Sequence, residues 1–375
     1  MLLSRGKNNI FTNWWWTVDK ILLGCIVTLI AIGIILSFSA SPAVAEREGF
    51  GSYHFIKRHL VFAPVALGII IFLSMQKLKT IRRFALIGYL VAMILVGMTF
   101  FLGEANRGAS RWIPFFGFTL QPSEFVKPFF IIMAAWLFNG QKQQPDFPGN
   151  FLSIALFIIT AGTIVVQPDW GMTGVISLVW GAQLVLSGVP FFWIFVLVIV
   201  AIIGGTIGYF TFPHFQMRIL QFFATGKDIP YQIKRANEAF ESSNFFGRGP
   251  GEGIARSHIP DAHTDFIYAV IAEEYGFFIC LAVVLLYATI VIRALILSCR
   301  ENNFFIVLSA SGLALSFGVQ AIINMASTLQ LMPTKGMTLP FISYGGSSIL
   351  ASAIGMGMLL AITRKNSHAE DKDNV

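Results

Sequence analysis

Charge is the first thing this sequence is short of: Asp, Glu, Lys and Arg make up 12% of its 375 residues, about half the roughly 25% of a soluble domain. With 55% of the residues hydrophobic, a water-soluble enzyme is excluded, and a lipid bilayer is the solvent that fits. Cysteine is nearly absent as well. Cys25, Cys280 and Cys299 lie within or at the ends of apolar runs, and an odd number so placed excludes a disulfide framework. The net charge of +7 would suit nucleic acid, but the basic residues cluster between apolar runs, as the positive-inside rule describes. No nucleic-acid partner is expected.

What is present is a series of about ten apolar runs, each long enough to cross about 30 Å of hydrocarbon as a helix. They are Ile21–Ser41, His59–Gln76, Phe84–Gly103, Pro122–Phe138, Phe151–Val166, Gly171–Gly188, Pro190–Phe212, Phe266–Ser298, Phe304–Thr328 and Ser347–Thr363. The fold class read from them is all-α, a polytopic integral membrane protein with a large outer loop between helices seven and eight. Ala43-Val44-Ala45 has the form of a signal-peptidase site. The preceding run is too long for a signal h-region of about 7–15 residues, so the first helix is expected to stay. Lys77, Lys79, Arg82 and Arg83 form the densest basic loop, which places it, and both termini, in the cytoplasm. Arg293, Arg300, Arg364 and Lys365 agree with that frame, whereas Lys57 and Arg58 do not. The expected organisation is a cytoplasmic segment 1–20, a membrane domain 21–363 with its outer loop at 213–264, and a short polar tail 364–375. Ten prolines, from Pro42 to Pro340, fall on the outer side. Because proline breaks helices, and irregular backbone at membrane depth must line protein or water, they point to a shaped outer cavity.

The candidate chemistry gathers on that outer side. Asp265 ends the long loop and starts the eighth run. One reading is helix capping, favoured by the helix dipole. The other is a general base at the water–membrane boundary. His258, Asp261, His263 and Asp265 match no tight zinc spacing, and the metal they suit better is a loosely held Mg²⁺ or Mn²⁺ shared with a phosphate ligand. Glu273 and Glu274 fall about 12 Å below Asp265 at about 1.5 Å per residue. They read either as intramembrane functional carboxylates or as structural partners of a cation such as Lys127. Arg111, Gln121, Glu124 and Lys127 surround the start of the fourth run. Glu124 and Lys127, at i and i+3, neutralise each other in one reading, while Arg111 and Lys127 hold an anionic headgroup in the other. Asp169 lies in another outer loop, and Pro333 to Ser348, with Lys335 and Ser343, reads either as close small-residue packing or as a phosphate-facing cavity wall.

Taken in order, Gly108-Ala109-Ser110-Arg111-Trp112, Gln121-Pro122-Ser123-Glu124 with Lys127, Gln167-Pro168-Asp169 with Gly171, Tyr231-Gln232, Ala262-His263-Thr264-Asp265-Phe266 with Glu273-Glu274, and Pro333 through Ser348 resemble the SEDS family of cell-wall proteins. The likeness covers nearly all of the chain. Pro333-Thr334-Lys335-Gly336 resembles its division-type, FtsW-type branch more than its elongation branch. The resemblance implies a peptidoglycan glycosyltransferase that joins lipid II units into glycan strands outside the inner membrane, at the division septum. It puts the family's essential aspartate on Asp265 as general base, and it implies that Arg111, with Lys127 or Lys335, stabilises the departing lipid diphosphate. Gln121, Glu124, His263 and Ser343 are implied around the substrate, with Glu273, Glu274 and Asp169 in support. It demands no cofactor and no tight metal site. The partners implied are a monofunctional class B penicillin-binding protein, an FtsI-type transpeptidase, and other divisome proteins. Three departures stand out: Pro260-Asp261 where relatives often have Pro-Glu, Ser257 where some have a carboxylate, and Pro250 where leucine is common.

The readings from other classes are a lipid II flippase, which needs a polar path through the bilayer, and a noncatalytic divisome scaffold. Besides Glu273 and Glu274 few charges lie deep in the apolar runs, which favours the polymerase.

Overall fold

In a computed structural model, the described residues are 10–102, 104–106, 109–115, 118–224, 229–334 and 336–365. Lys335 and Gly108 lie outside them. Each of the ten apolar runs falls on a helix: α2 (Lys20–Ala40), α4 (His54–Ser74), α5 (Leu78–Leu102), α6 (Pro122–Gln143), α7 (Gly149–Val166), α8 (Trp170–Leu186), α9 (Phe191–Thr211), α12 (Ile267–Cys299), α13 (Phe304–Thr328) and α14 (Gly346–Ile362). Between them lie α1 (Ile10–Thr17), α3 (Pro42–Arg47), α10 (Pro213–Phe223) and α11 (Tyr231–Glu241). Among the described residues, α2, α4, α5, α7, α12 and α13 are long and apolar enough to cross a membrane by themselves. The chain is therefore a polytopic, all-α membrane protein. In α8 and α14 the apolar stretch is 17 residues, and within α9 and α10 the segments Phe195–Thr211 and Phe215–Phe223 meet at 96°.

Burial sorts these helices by position. Most of α13 is buried, whereas the larger part of each of the other five long spans faces outward, as apolar helices do when the surrounding solvent is lipid. Around α13 pack α6, α8, α12 and α14, and α4 lies along α14 while α2 lies along α12. Val44 and Ala45, in the sequence that resembles a cleavage site, are buried in α3.

Two features were not foreseen. Three short strands, β1 (Glu104–Asn106), β2 (Ala109–Phe115) and β3 (Phe118–Leu120), pair as an antiparallel meander, with Ile113 opposite Leu120. Strands this short carry too little alternation to announce themselves. The second is a break in α12 at Gly276, where φ is 77° and ψ −173°, a backbone that only glycine adopts at ease. Residues 244–249 of the long polar loop fill the gap. Arg248 and Gly249 N–H donate to the carbonyls of Glu273 and Glu274 at 2.9 and 3.0 Å, and Phe277 N–H donates to Asn244 O at 3.2 Å. The broken helix thus finds its missing hydrogen-bond partners inside the protein, as apolar surroundings require.

Candidate active site

A cavity of about 680 Å³ opens among α4, the meander, the start of α6, α10, α11, the turn before α12 and the segment before α14. The turn Asp261–Asp265 is held by its backbone. Asn324 of α13 donates its amide to Asp265 O at 2.9 Å, Ser343 Oγ donates to Thr264 O at 2.5 Å, and Tyr344 N–H donates to His263 O at 2.8 Å. Asp261, His263, Thr264 and Asp265 consequently line the cavity. The N-cap of α12 is Phe266, which makes no side-chain capping bond, and Asp265 stands one residue before it. Gly336, at φ +62°, lies against the carboxylate; a Cβ there would come within 3.3 Å of Asp265 Oδ2. Asp261 accepts from Gln232 Nε2 at 2.9 Å, and Arg47 holds Ile259 O at 2.6 Å.

His263 is buried and stacks on Phe55 at a ring distance of 4.6 Å. Burial pushes its imidazole down to about 4; nearby Arg47 acts in the same direction and Asp261 opposes it. It is neutral near pH 7 and contributes shape, not charge.

The cavity is also lined by cations, Arg58, Arg111 and Arg218. Arg111, carried by β2, donates Nε to Gln167 O at 3.1 Å and also donates to Pro168 O, and its Nη1 lies 3.9 Å from Asp169 Oδ1. Asp169 also caps α8 through Met172 N–H at 3.1 Å and accepts from Gln121 Nε2 at 3.2 Å. These three side chains, from three separate segments, form one network. Arg58 lines the cavity too, over the Phe118 ring at 5.3 Å, which explains why it defied the topology frame: it belongs to the site.

Other expected residues land elsewhere. Glu124 reaches the cavity, but Lys127 is buried behind it, 2.7 Å from Glu124 Oε2 and 2.5 Å from Gln320 Oε1. Gln320 continues to Thr338 O at 3.1 Å. Lys127 therefore acts through its neighbours, and its ammonium is not presented to a headgroup. Ser343 is fully engaged with backbone, since it also accepts from Leu339 N–H at 2.8 Å. Glu273 and Glu274 are buried at the α12 break, where Glu273 Oε1 accepts from Ile254 N–H at 2.8 Å and Glu274 accepts from the Ser39 hydroxyl. Neither is given Lys127 as a partner, because that cation is held by Glu124. Gln320 and Asn324, four residues apart on α13, were missed. Two amides on one face of an apolar run were the available signal.

Among the described residues no three His, Cys, Asp or Glu side chains converge to hold a metal. Asp261 and Asp265 on the cavity wall would need a ligand's phosphate oxygens to complete a site for Mg²⁺ or Mn²⁺.

Residues 19–368 match the family model FTSW_RODA_SPOVE, described as cell cycle protein. A probable peptidoglycan glycosyltransferase FtsW of Caulobacter vibrioides is 43% identical over 367 residues, covering 98% of this chain and 94% of the relative. That of Aromatoleum aromaticum is 33% identical over 359 residues, covering 92% and 88%. In fold, the chain is similar to one from a peptidoglycan synthase complex that coordinates polymerization and crosslinking, with a TM-score of 0.77 at 23% identity over 94% of this chain and 99% of that one. It is also similar to the rod shape determining protein RodA of Thermus thermophilus, at 0.66 and 22% identity over 93% and 97%.

Proposed function

Because this chain belongs to the FtsW/RodA/SpoVE family of cell cycle proteins, we propose that it is a peptidoglycan glycosyltransferase of the division type, polymerising lipid II at the outer face of the inner membrane. The observation that carries this reading is the cavity itself, which joins a carboxylate, Asp265, to a cationic wall containing Arg111. Asp265 takes the proton of the acceptor sugar's hydroxyl as that oxygen attacks the donor's anomeric carbon. The glycosidic C–O bond forms, the C–O bond to the lipid diphosphate breaks, and the diphosphate leaves with the bonding pair. Arg111 stabilises the charge that develops there, a task in which preorganised donors supply much of the rate. Its guanidinium is preorganised by Gln167, Pro168 and Asp169. Glu124 and Gln121 shape the same wall, with Lys127 neutralising Glu124 from behind.

The organisation proposed is a cytoplasmic segment 1–20, ten spans within 21–363, the outer loop 213–264 and a cytoplasmic tail 364–375. The partners proposed are a class B penicillin-binding protein, which crosslinks the strands, and the other divisome proteins at the septum.

The test is reconstitution of the full chain in vesicles with lipid II and its cognate transpeptidase, following glycan strands and lipid II translocation separately. Strand formation is the expected result. Translocation without strands would replace the polymerase by a flippase.

A further inference from the structure

The cavity containing Asp265 has a smaller neighbour, about 250 Å³, between the start of α8, α10 and residues 332–334. Arg111, Arg218 and Thr334 line both. The smaller cavity is walled mainly by Trp170, Phe215, Ile219 and Met332, and Trp170 stacks on Phe215 at 4.6 Å. At the shared neck, Arg218 donates Nη1 to Thr334 O at 3.2 Å, and Arg111 faces Asp169. Two guanidiniums therefore line both cavities, Arg111 beside Asp169 and Arg218 on the Thr334 carbonyl, with an apolar cavity on one side and a polar, carboxylate-bearing one on the other.

We propose that this neck holds the diphosphate of the lipid-linked donor, with Arg218 as a second binding guanidinium beside Arg111, and that the smaller cavity takes the first isoprenoid units. The proposal rests on the polymerase reading and names the donor's place within it. Its basis is order: apolar cavity, cationic neck and polar cavity follow one another as polyprenyl chain, diphosphate and sugar do in the donor. Guanidinium matches phosphate oxygens in geometry as well as charge. The placement also gives α10 a task, since Arg218, Phe215 and Ile219 all lie on that short helix. The sugar's anomeric carbon is then left on the Asp265 side of the neck.

The experiment measures binding of farnesyl diphosphate and of inorganic diphosphate to the purified full chain. Wild type is expected to bind farnesyl diphosphate at least tenfold, very roughly, more tightly than inorganic diphosphate, because the apolar tail is buried. Arg218→Ala is expected to weaken farnesyl diphosphate by about 10-fold or more, the scale of a lost charge-assisted hydrogen bond. Ile219→Trp, which narrows the smaller cavity, is expected to weaken farnesyl diphosphate and spare inorganic diphosphate. Unchanged farnesyl diphosphate binding in Arg218→Ala, or equal weakening of both ligands in Ile219→Trp, overturns the assignment. If the alanine variant unfolds earlier than wild type, Arg218→Lys decides, with weaker binding supporting the site and unchanged binding overturning it. Strand formation by wild type together with Arg218-independent binding would sink the neck and leave the polymerase standing. Arg218-dependent binding without strand formation would do the reverse.

Discussion

His263 and Lys127 show how single side chains in this site work through their surroundings. Burial lowers His263 to about 4, against about 6.5 in an unfolded chain, so between those values the unfolded state binds the extra proton. The stability tied to His263 is complete above about pH 6.5 and falls as the pH drops toward 4. Thermal unfolding across pH 4–8 should show that loss in wild type, and His263→Phe should flatten it; an equally steep profile in the variant would contradict the neutral, stacked imidazole. Lys127 and Glu124 are a buried pair 2.7 Å apart. Removing one partner of such a pair costs about 3–5 kcal/mol because a buried charge is stranded. Lys127→Met should therefore destabilise the fold strongly and Lys127→Met with Glu124→Gln should recover most of it. A double variant as unstable as the single one would contradict the pairing. The sequence motif placed Lys127 near the site, but which way its ammonium turns depends on Gln320 of α13, nearly two hundred residues away, and no local pattern contains that.

At the scale of elements, the break in α12 couples the long polar loop to the bundle. Ile254 N–H rests on Glu273 and the backbone of 248–249 rests on the carbonyls at the break. Deleting the Glu273 carboxylate strands a donor worth about 1–3 kcal/mol. Glu273→Ala should accordingly raise amide exchange across residues 248–254 by roughly tenfold; unchanged exchange would mean that the loop is held by other contacts. Long apolar runs made the helices of the bundle legible, because hydropathy over a whole span is a strong signal. The break was not, since a single glycine inside a long helical run does not by itself announce one. Helices α10 and α11 were hidden inside the polar loop, although Pro213 stands at the first turn of α10 and Pro230 at the cap of α11, positions where proline starts helices.

For the molecule as a whole, the buried α13 is the axis from which the site is hung: Asn324 fixes the Asp265 turn and Gln320 fixes Thr338 and Lys127. The outer helices present apolar faces to lipid, and the breaks, prolines and short helices collect around one cavity. That collection was foreseen from proline placement and motif order; the cavity's second chamber was not, because it is assembled from segments far apart in sequence, nor was the meander bearing Arg111, because its strands are too short to show alternation. The central claim is that Asp265 performs the proton transfer in strand formation. Asp265→Asn keeps the shape of the side chain and removes its basicity, so the direct measurement is glycan-strand formation from lipid II by this variant and wild type, each reconstituted as full chain with the cognate transpeptidase and matched for thermal unfolding. Strand formation should fall by at least about 100-fold, the lower range of a general base's contribution. Equal rates for the two proteins would contradict the claim.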